Sequence, residues 1–173
     1  MENGGVKMKK SILVLITVAI LVLALAACSQ KSSSSVGTAL VTVSGKIQNK
    51  NSGDTYVLDE AAFDAKSVEK PYTDPWMTDV KSYKGILLKD LITLVNPTSD
   101  ATTISLIATD GKSLDIPITD AQKYDIMLSH WSDTSTMLDT STGGPVKVAF
   151  SDDAKTTYTD EQWMWWIVKI EFK

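Results

Sequence analysis

Apolar and polar residues alternate with a period of two in several short segments of this chain, and Gly-, Asn- and Asp-rich turns separate these segments. Residues 39–47 alternate in this way. So does the C-terminal segment, where Trp166, Val168, Ile170 and Phe172 are predicted to share one face. Period two is the repeat of a β-strand, whose successive side chains point to opposite faces of a sheet. The chain is therefore predicted to build much of its core from strands.

The remaining body divides into further short strands and short helices. Strands are predicted at residues 56–58, 78–83 (stopping at Gly85), 104–108, 113–118 and 126–131. Asp110-Gly111 is predicted to form a hairpin turn. Gly143-Gly144-Pro145 is predicted to form the turn before a strand through Val146, Val148 and Phe150. Helices are predicted from an Asp59 N-cap to Ala65, over residues 87–95 up to Asn96-Pro97, and as one turn over residues 119–124. The predicted fold class is α+β, a strand-rich mixed-sheet domain with short helices.

The N-terminus has the layout of a secretory signal. Lys7, Lys9 and Lys10 precede an apolar run over residues 12–27 that is shorter than the roughly 20 residues of a membrane-spanning helix. The run ends in Leu-Ala-Ala followed by Cys28, which resembles the lipobox of bacterial lipoproteins. This resemblance implies that Cys28 is lipidated and becomes the first residue of the mature protein. An uncleaved membrane anchor with an incidental cysteine is the alternative.

Three regions follow from this interpretation: a lipoprotein signal peptide over residues 1–27, a lipidated cysteine with a flexible Ser-rich tether over residues 28–37, and one folded domain over residues 38–173. Two acyl chains hold a protein on a membrane far better than one. The predicted location is the extracytoplasmic face of a bacterial cell membrane, with the lipid as the membrane partner.

Charge and composition exclude several classes of function. The chain has 17 basic residues, all lysine, against 21 acidic ones, a net charge of −4, so nucleic acid is not a predicted partner. Beyond the predicted signal the balance is 14 to 20, or −6. One cysteine and one histidine, His130, exclude disulfide frameworks and Cys- or His-rich metal centres. No metal site is predicted.

Five motifs in the body, spanning roughly residues 38–173, occur in the order of a known family. They are the aromatic-x-Gly segment at residues 82–92, the Asp-Gly turn and return strand at residues 108–118, the strand at residues 125–128 followed by residues 137–138, the Gly-Gly-Pro segment at residues 143–148, and the closing strand at residues 166–172. The chain resembles the molybdopterin-binding domain of sulfite oxidase-type oxidoreductases. That resemblance implies the same fold and a possible pterin cofactor.

The departures from that family concern its chemistry. The family ligates molybdenum through a cysteine placed before the aromatic-x-Gly segment, whereas residues 71–76 here read Pro-Tyr-Thr-Asp-Pro-Trp. A carboxylate or hydroxyl does not replace a soft thiolate without changing the metal chemistry. Lys147 stands where the family motif usually has arginine, and lysine meets a phosphate only as a point charge. Molybdenum is therefore not an expected cofactor, whereas binding of a pterin is still compatible with the sequence.

Four residues are candidates for a ligand pocket: Tyr72, Trp76, Lys147 and Trp165. Tyr72 and Trp76 lie where the family builds its cofactor pocket. In the segment over residues 163–166, an extended backbone places Trp163 and Trp165 on one face and Trp166 on the other, so that either ligand stacking or packing at a sheet rim explains them. His130 is interpreted as a structural histidine. The paired acids Asp152-Asp153 and Asp160-Glu161 are interpreted as solvated charges in loops.

The leading functional hypothesis is a lipid-anchored extracytoplasmic binding module with a molybdopterin-binding-like fold and without molybdenum catalysis. Its ligand would be a pterin-like or other small planar anion, or a partner protein. One alternative is a redox enzyme or a subunit of a redox complex of that oxidoreductase family. Another is a structural or interaction protein of the cell envelope.

Overall fold

A computed structural model describes residues 37–133 and 136–173 of the chain. The predicted signal, Cys28 and nearly all of the tether lie outside the described residues. Within them the ten strands are β1 (Ala39–Gly45), β2 (Tyr56–Asp59), β3 (Val68–Pro71), β4 (Ser82–Leu87), β5 (Thr103–Ala108), β6 (Ser113–Pro117), β7 (Ile126–Ser132), β8 (Thr136–Met137), β9 (Lys147–Phe150) and β10 (Ile167–Phe172). The α-helices are α1 (Glu60–Asp64), α2 (Leu88–Val95) and α3 (Ile118–Lys123), and short 3₁₀ helices cover Thr140–Thr142, Asp152–Thr156 and Asp160–Gln162.

The strands form two five-stranded sheets. The first sheet has the order β2-β1-β10-β5-β6, in which β1 and β10 are parallel and the other pairs are antiparallel. The second has the order β3-β4-β7-β8, with β9 also paired to β7. A continuous cluster of buried apolar side chains from both sheets, α2 and α3 forms the core. This architecture confirms the predicted strand-rich α+β class.

Local signals in the sequence identified most helices and turns correctly. The Asp59 carboxylate accepts a hydrogen bond from the Ala62 amide at 2.8 Å, as expected of the N-cap of α1. Helix α2 buries Leu88, Leu91, Ile92 and Val95 on one face and ends at Asn96, which adopts the left-handed conformation. The hairpin joining β5 and β6 also turns where the Asp-Gly pair predicts it.

The strand predicted at residues 78–83 is wrong, because β4 begins at Ser82 and runs through Gly85 to Leu87. Gly85 does not stop the strand. A Cβ atom at this position would lie 1.9 Å from the carbonyl oxygen of Leu128 on β7. The glycine therefore permits a close approach of two backbones at a register shift, which a pattern-based interpretation takes for a strand end.

The predicted face of the last strand is also wrong in its first half. Ile170 and Phe172 are buried as expected, but Ile167 is buried in place of its neighbours Trp166 and Val168. A register shift between Ile167 and Lys169 against β5 changes which residues point inward. A bulge of this kind interrupts the period of two without leaving a mark in the sequence pattern.

None of the helices in the described ranges is long and apolar enough to cross a membrane.

Candidate functional site

An open cleft of about 490 Å³ lies at the surface of the domain, and tryptophans dominate its walls. Four of the five tryptophans in the chain line it. The described residues that line it are Trp76, Ala108, Asp110, Lys112, Ser113, Leu114, Glu161, Gln162, Trp163, Met164, Trp165 and Trp166. We call this site the tryptophan cleft. Its walls come from the β5–β6 hairpin, from residues 160–166, and from Trp76 on the loop between β3 and β4.

The segment that carries three of these tryptophans is not a strand, contrary to the extended backbone assumed for residues 163–166. A 3₁₀ helix covers Asp160–Gln162, and Trp166 has a left-handed backbone with φ of 58°. Trp166 donates its amide to the Gly143 carbonyl at 2.9 Å, and its own carbonyl accepts from the Thr109 amide at 3.0 Å. These two bonds fix the segment between the hairpin and the Gly-Gly-Pro turn.

Trp76 forms a second wall and is the most exposed of the large apolar side chains in the described residues, at 59%. Its indole nitrogen donates to the Asp160 carbonyl at 3.1 Å, which ties the ring to the base of the 160–166 segment. Its backbone is held by Asp74, whose Oδ1 accepts from the amides of Trp76 and Met77 at 2.8 and 2.9 Å. An exposed tryptophan fixed at both ends is a preformed contact surface.

Asp74 also belongs to a buried charge cluster with Lys147 and Tyr83. Its Oδ2 accepts from the Lys147 ammonium and from the Tyr83 hydroxyl, each at 2.5 Å, and Lys147 lies 3.2 Å from that hydroxyl. Burial raises the pKa of the Asp74 carboxyl, but the hydrogen bonds from Lys147 and Tyr83 lower it below its ordinary value. Asp74 is therefore a carboxylate, and the cluster is a fully satisfied ion pair.

Lys147 lies directly behind the tryptophans. Its ammonium nitrogen is 5.0 Å from the ring centroid of Trp165 and 5.6 Å from that of Trp163, within the range of a cation–π contact. Trp165 also packs on Gly143, where a Cβ atom would meet the ring at 2.9 Å. Lys147 thus supports one wall through these rings and the other through Asp74 and the Trp76 backbone.

The structure divides the four predicted pocket residues between different places. Trp76 and Trp165 line the tryptophan cleft. Lys147 is fully buried behind it and does not line it. Tyr72 is also buried and lies elsewhere, donating its hydroxyl to the Asp125 carbonyl at 3.1 Å beside a separate cavity of about 160 Å³. Burial raises the pKa of the Tyr72 hydroxyl far above its ordinary value, so it is a neutral donor.

His130 and the paired acids take different positions in the fold. His130 is buried, with Nδ1 2.5 Å from the Pro145 carbonyl oxygen, and its Nε2 has no hydrogen-bond partner among the described residues. The paired acids Asp152, Asp153, Asp160 and Glu161 are all exposed, and Glu161 also lines the tryptophan cleft. Across residues 37–133 and 136–173, no group of three or more His, Cys, Asp or Glu side chains is placed to hold a metal ion.

The residues before β4 do not fit a thiolate-bound molybdenum. The chain has one cysteine, Cys28, far from this segment in sequence. The acidic residue that stands in the segment, Asp74, has both oxygens occupied by the four hydrogen bonds described above. Its side chain is completely buried, and both Lys147 and Tyr83 contact it. The Asp74 carboxylate is therefore already bound by other groups of the protein and is not free to ligate a metal ion.

No family model matches the chain, and no curated protein matches it. Among solved structures, the chain is similar to the sulfane dehydrogenase SoxCD from Paracoccus pantotrophus, with a TM-score of 0.57 and 10% sequence identity. The two share a fold. The similarity covers 78% of this chain and 38% of the SoxCD chain, so this protein spans well under half the length of that neighbour. At this identity the relationship is distant and concerns the fold alone, which agrees with the predicted α+β domain.

Three residues that organise the site were not among the predicted ones: Asp74, Tyr83 and Trp163. A signal for the buried pair existed, because Lys147 interrupts the apolar run Pro-Val-Lys-Val-Ala-Phe, and a lysine inside a buried strand requires an acidic partner. Asp74 lies 73 residues away in sequence, and nothing local identifies it as that partner. Trp163 is buried at 4% exposure, which its neighbourhood in sequence does not distinguish from Trp165 or Trp166.

Proposed function

We propose that this protein is a lipid-anchored extracytoplasmic binding module that takes up a small ligand in the tryptophan cleft. The observation that carries the proposal is the concentration of four of the five tryptophans on the walls of one open cleft. Its volume, about 490 Å³, is in the range of small-molecule sites. A few polar groups, among them Asp110 and Glu161, stand among the apolar walls, as ligand sites require.

The walls are held in place before any ligand arrives. Backbone hydrogen bonds fix the segment of Trp166, the Asp160 carbonyl fixes the Trp76 ring, and the buried Lys147–Asp74 pair supports both walls. Preorganisation lowers the entropic cost of binding, since fewer side chains lose freedom when the ligand enters. The arrangement supports recognition, and the proposal does not include catalysis.

Native mass spectrometry of the protein purified from its own host tests the ligand-binding proposal. We expect a small-molecule adduct on the wild-type protein and its loss in Trp76→Ala, which removes an exposed ring without opening the core. Val68→Ala truncates another exposed apolar residue, on β3 and outside the cleft, and serves as the matched control. A wild-type protein that carries no adduct, and whose tryptophan fluorescence responds to no compound of a small-molecule library, would overturn the proposal.

Membrane anchoring is tested separately, through Cys28. We expect the wild-type protein to sediment with membranes and to incorporate a labelled fatty acid, and we expect Cys28→Ala to incorporate none. The serine-rich residues that follow offer a control, since Ser32→Ala leaves the lipobox resemblance intact and is expected to label as the wild type does. Equal labelling of the wild type and Cys28→Ala would refute lipidation at this cysteine.

A redox role is the second candidate, and the similarity to SoxCD favours it, because that protein is a sulfane dehydrogenase. Since the residues before β4 do not fit a thiolate-bound molybdenum, we place such a role in a complex with a separate catalytic subunit. Stable co-purification from the host with a subunit that carries stoichiometric molybdenum would favour the redox role over the binding module. Stable co-purification of one envelope protein without any small molecule would instead favour an interaction protein.

A further inference from the structure

We propose that the tryptophan cleft recognises an organic cation with a weakly hydrated head, such as a quaternary ammonium group. This inference rests on the proposed ligand-binding function and names its ligand class. It differs from the planar anion expected from sequence, because the charges around the cleft become known only in the folded domain.

The first support is the chemistry of the walls. The face of an indole ring carries negative electrostatic potential and attracts a cation within about 6 Å of its centroid. The protein already uses two of these rings in this way from the inside, since the Lys147 ammonium lies 5.0 Å from Trp165 and 5.6 Å from Trp163. In the part of the chain that the structure describes, no lysine lies over Trp76 or Trp166. Trp76 is 59% exposed, so its ring is accessible to a cation from outside.

The second support is the charge at the rim. Among the described residues, the charged ones that line the cleft are Asp110, Glu161 and Lys112. The Lys112 ammonium lies 3.6 Å from Asp110 and is compensated by it, while Glu161 forms no ion pair with any described residue. The rim therefore carries an excess negative charge. From Cys28 onward the chain also carries 20 acidic residues against 14 lysines, and this field attracts cations and repels anions.

The third support comes from the interior. Lys147 is the basic residue behind the cleft, and Asp74 compensates its charge at 2.5 Å with both side chains fully buried. Among residues 37–133 and 136–173, a planar anion in the cleft would therefore meet no uncompensated cation, at the rim or behind the rings. An organic cation would meet indole faces and a free carboxylate. Charge complementarity thus favours the cation.

Isothermal titration calorimetry on the wild-type protein tests this with three probes of contrasting charge. Choline carries the quaternary ammonium, 3,3-dimethyl-1-butanol has the same shape with carbon in place of nitrogen, and pterin-6-carboxylate is a planar anion. We expect choline to bind roughly fivefold or more tightly than its neutral counterpart, since a cation–π contact distinguishes the two. We expect the carboxylate to bind most weakly.

Two pairs of variants assign the effect to the cleft. Glu161→Gln is expected to weaken choline by about two- to threefold and to leave the neutral probe unchanged, since only the cation loses a charge partner. Glu60→Gln changes an exposed acid outside the cleft and is expected to alter neither affinity. Trp76→Phe is expected to retain part of the choline affinity and Trp76→Ala to abolish it, because indole is the stronger cation–π partner.

A free quaternary ammonium compound and a choline lipid headgroup share this chemistry. Sedimentation of the protein with phosphatidylcholine vesicles is therefore a separate experiment that distinguishes the two. Binding of free choline assigns the cation to a soluble compound, and binding of the vesicles alone assigns it to a headgroup; each supports the inference. Equal or tighter binding of the neutral or anionic probe overturns the inference while the cleft remains a ligand site. Absence of binding by every probe, together with the absence of a host-derived adduct, overturns the proposed function as well.

Discussion

Lys147→Met is expected to lower the free energy of unfolding by about 3–5 kcal/mol, the range for removing one partner of a buried ion pair. Methionine fills a similar volume, so the loss comes from the charge. Asp74 would keep a buried carboxylate without its cation, with Tyr83 as the remaining side-chain donor to Oδ2. Denaturant unfolding of the purified protein, followed by fluorescence, measures the change.

Lys89→Met is the matched control. It also removes one lysine of a Lys–Asp pair, but Lys89 and Asp125 have side chains 41% and 29% exposed, and Lys70 still pairs with Asp125. We expect a cost below about 1 kcal/mol. The double variant Lys147→Met/Asp74→Asn removes the uncompensated charge and keeps a side-chain oxygen for the Trp76 amide, and should regain part of the loss. Similar losses of unfolding free energy in Lys147→Met and Lys89→Met would contradict the conclusion that the Lys147–Asp74 pair is buried.

The acid limb of the stability profile gives a second readout of the same pair. The pKa of Asp74 is lowered in the folded state, so the unfolded chain takes up its proton first as the pH falls. The contribution of Asp74 is therefore complete above the unfolded pKa of about 3.9 and is lost as the pH falls from there through the folded value. We expect the stability of the wild type to fall more steeply over this window than that of Asp74→Asn, while the other carboxyls contribute equally to both.

Gly85→Ala is expected to destabilise the domain by at least about 3 kcal/mol, the upper end of the usual cost of overpacking. The new methyl carbon would lie 1.9 Å from the Leu128 carbonyl oxygen and 2.8 Å from the Ser129 Cα atom. Both are backbone atoms of the central strand β7, so β4 and β7 must separate and their hydrogen bonds must weaken. Thermal and denaturant unfolding of the variant measure the effect.

Gly53→Ala separates this steric cost from the conformational cost of replacing glycine. Gly53 has φ of 57°, and a Cβ atom there would meet nothing within 4 Å. Its replacement is expected to cost only about 1–2 kcal/mol, from the left-handed backbone alone. If Gly85→Ala were no more destabilising than Gly53→Ala, the close approach of β4 and β7 would not be a property of the folded protein.

Local physics allowed much of the fold to be predicted from the sequence. The N-cap at Asp59, the apolar face of α2, the end of that helix at Asn96-Pro97 and the Asp-Gly hairpin each depend on residues within a few positions of one another. Their energetics are set by short-range hydrogen bonds and periodicity, which a sequence displays directly. The order of these elements was enough to indicate an α+β domain.

The predictions failed where one segment depends on another that is distant in sequence. The sequence pattern indicates a strand end at Gly85, whereas the structure packs the backbone of β7 directly against this residue. The pattern also assigns Trp166 to a strand, whereas its hydrogen bonds with Gly143 and Thr109 hold it in a left-handed turn. The bulge at Ile167 reverses the inward face for the same reason. In each case a contact over tens of residues overrides the local pattern.

The candidate site shows the same division. The sequence by itself determined that the chain holds an unusual cluster of tryptophans, a lone lysine inside an apolar strand, and no cysteine in the segment before β4. Only the tertiary structure decided that Trp76 and Trp165 share a cleft, that Lys147 supports its walls from behind, and that Asp74 compensates the charge of Lys147. The physical reason is that burial and charge pairing depend on distances in space, and the chain sets those distances only when its two sheets close around a common core.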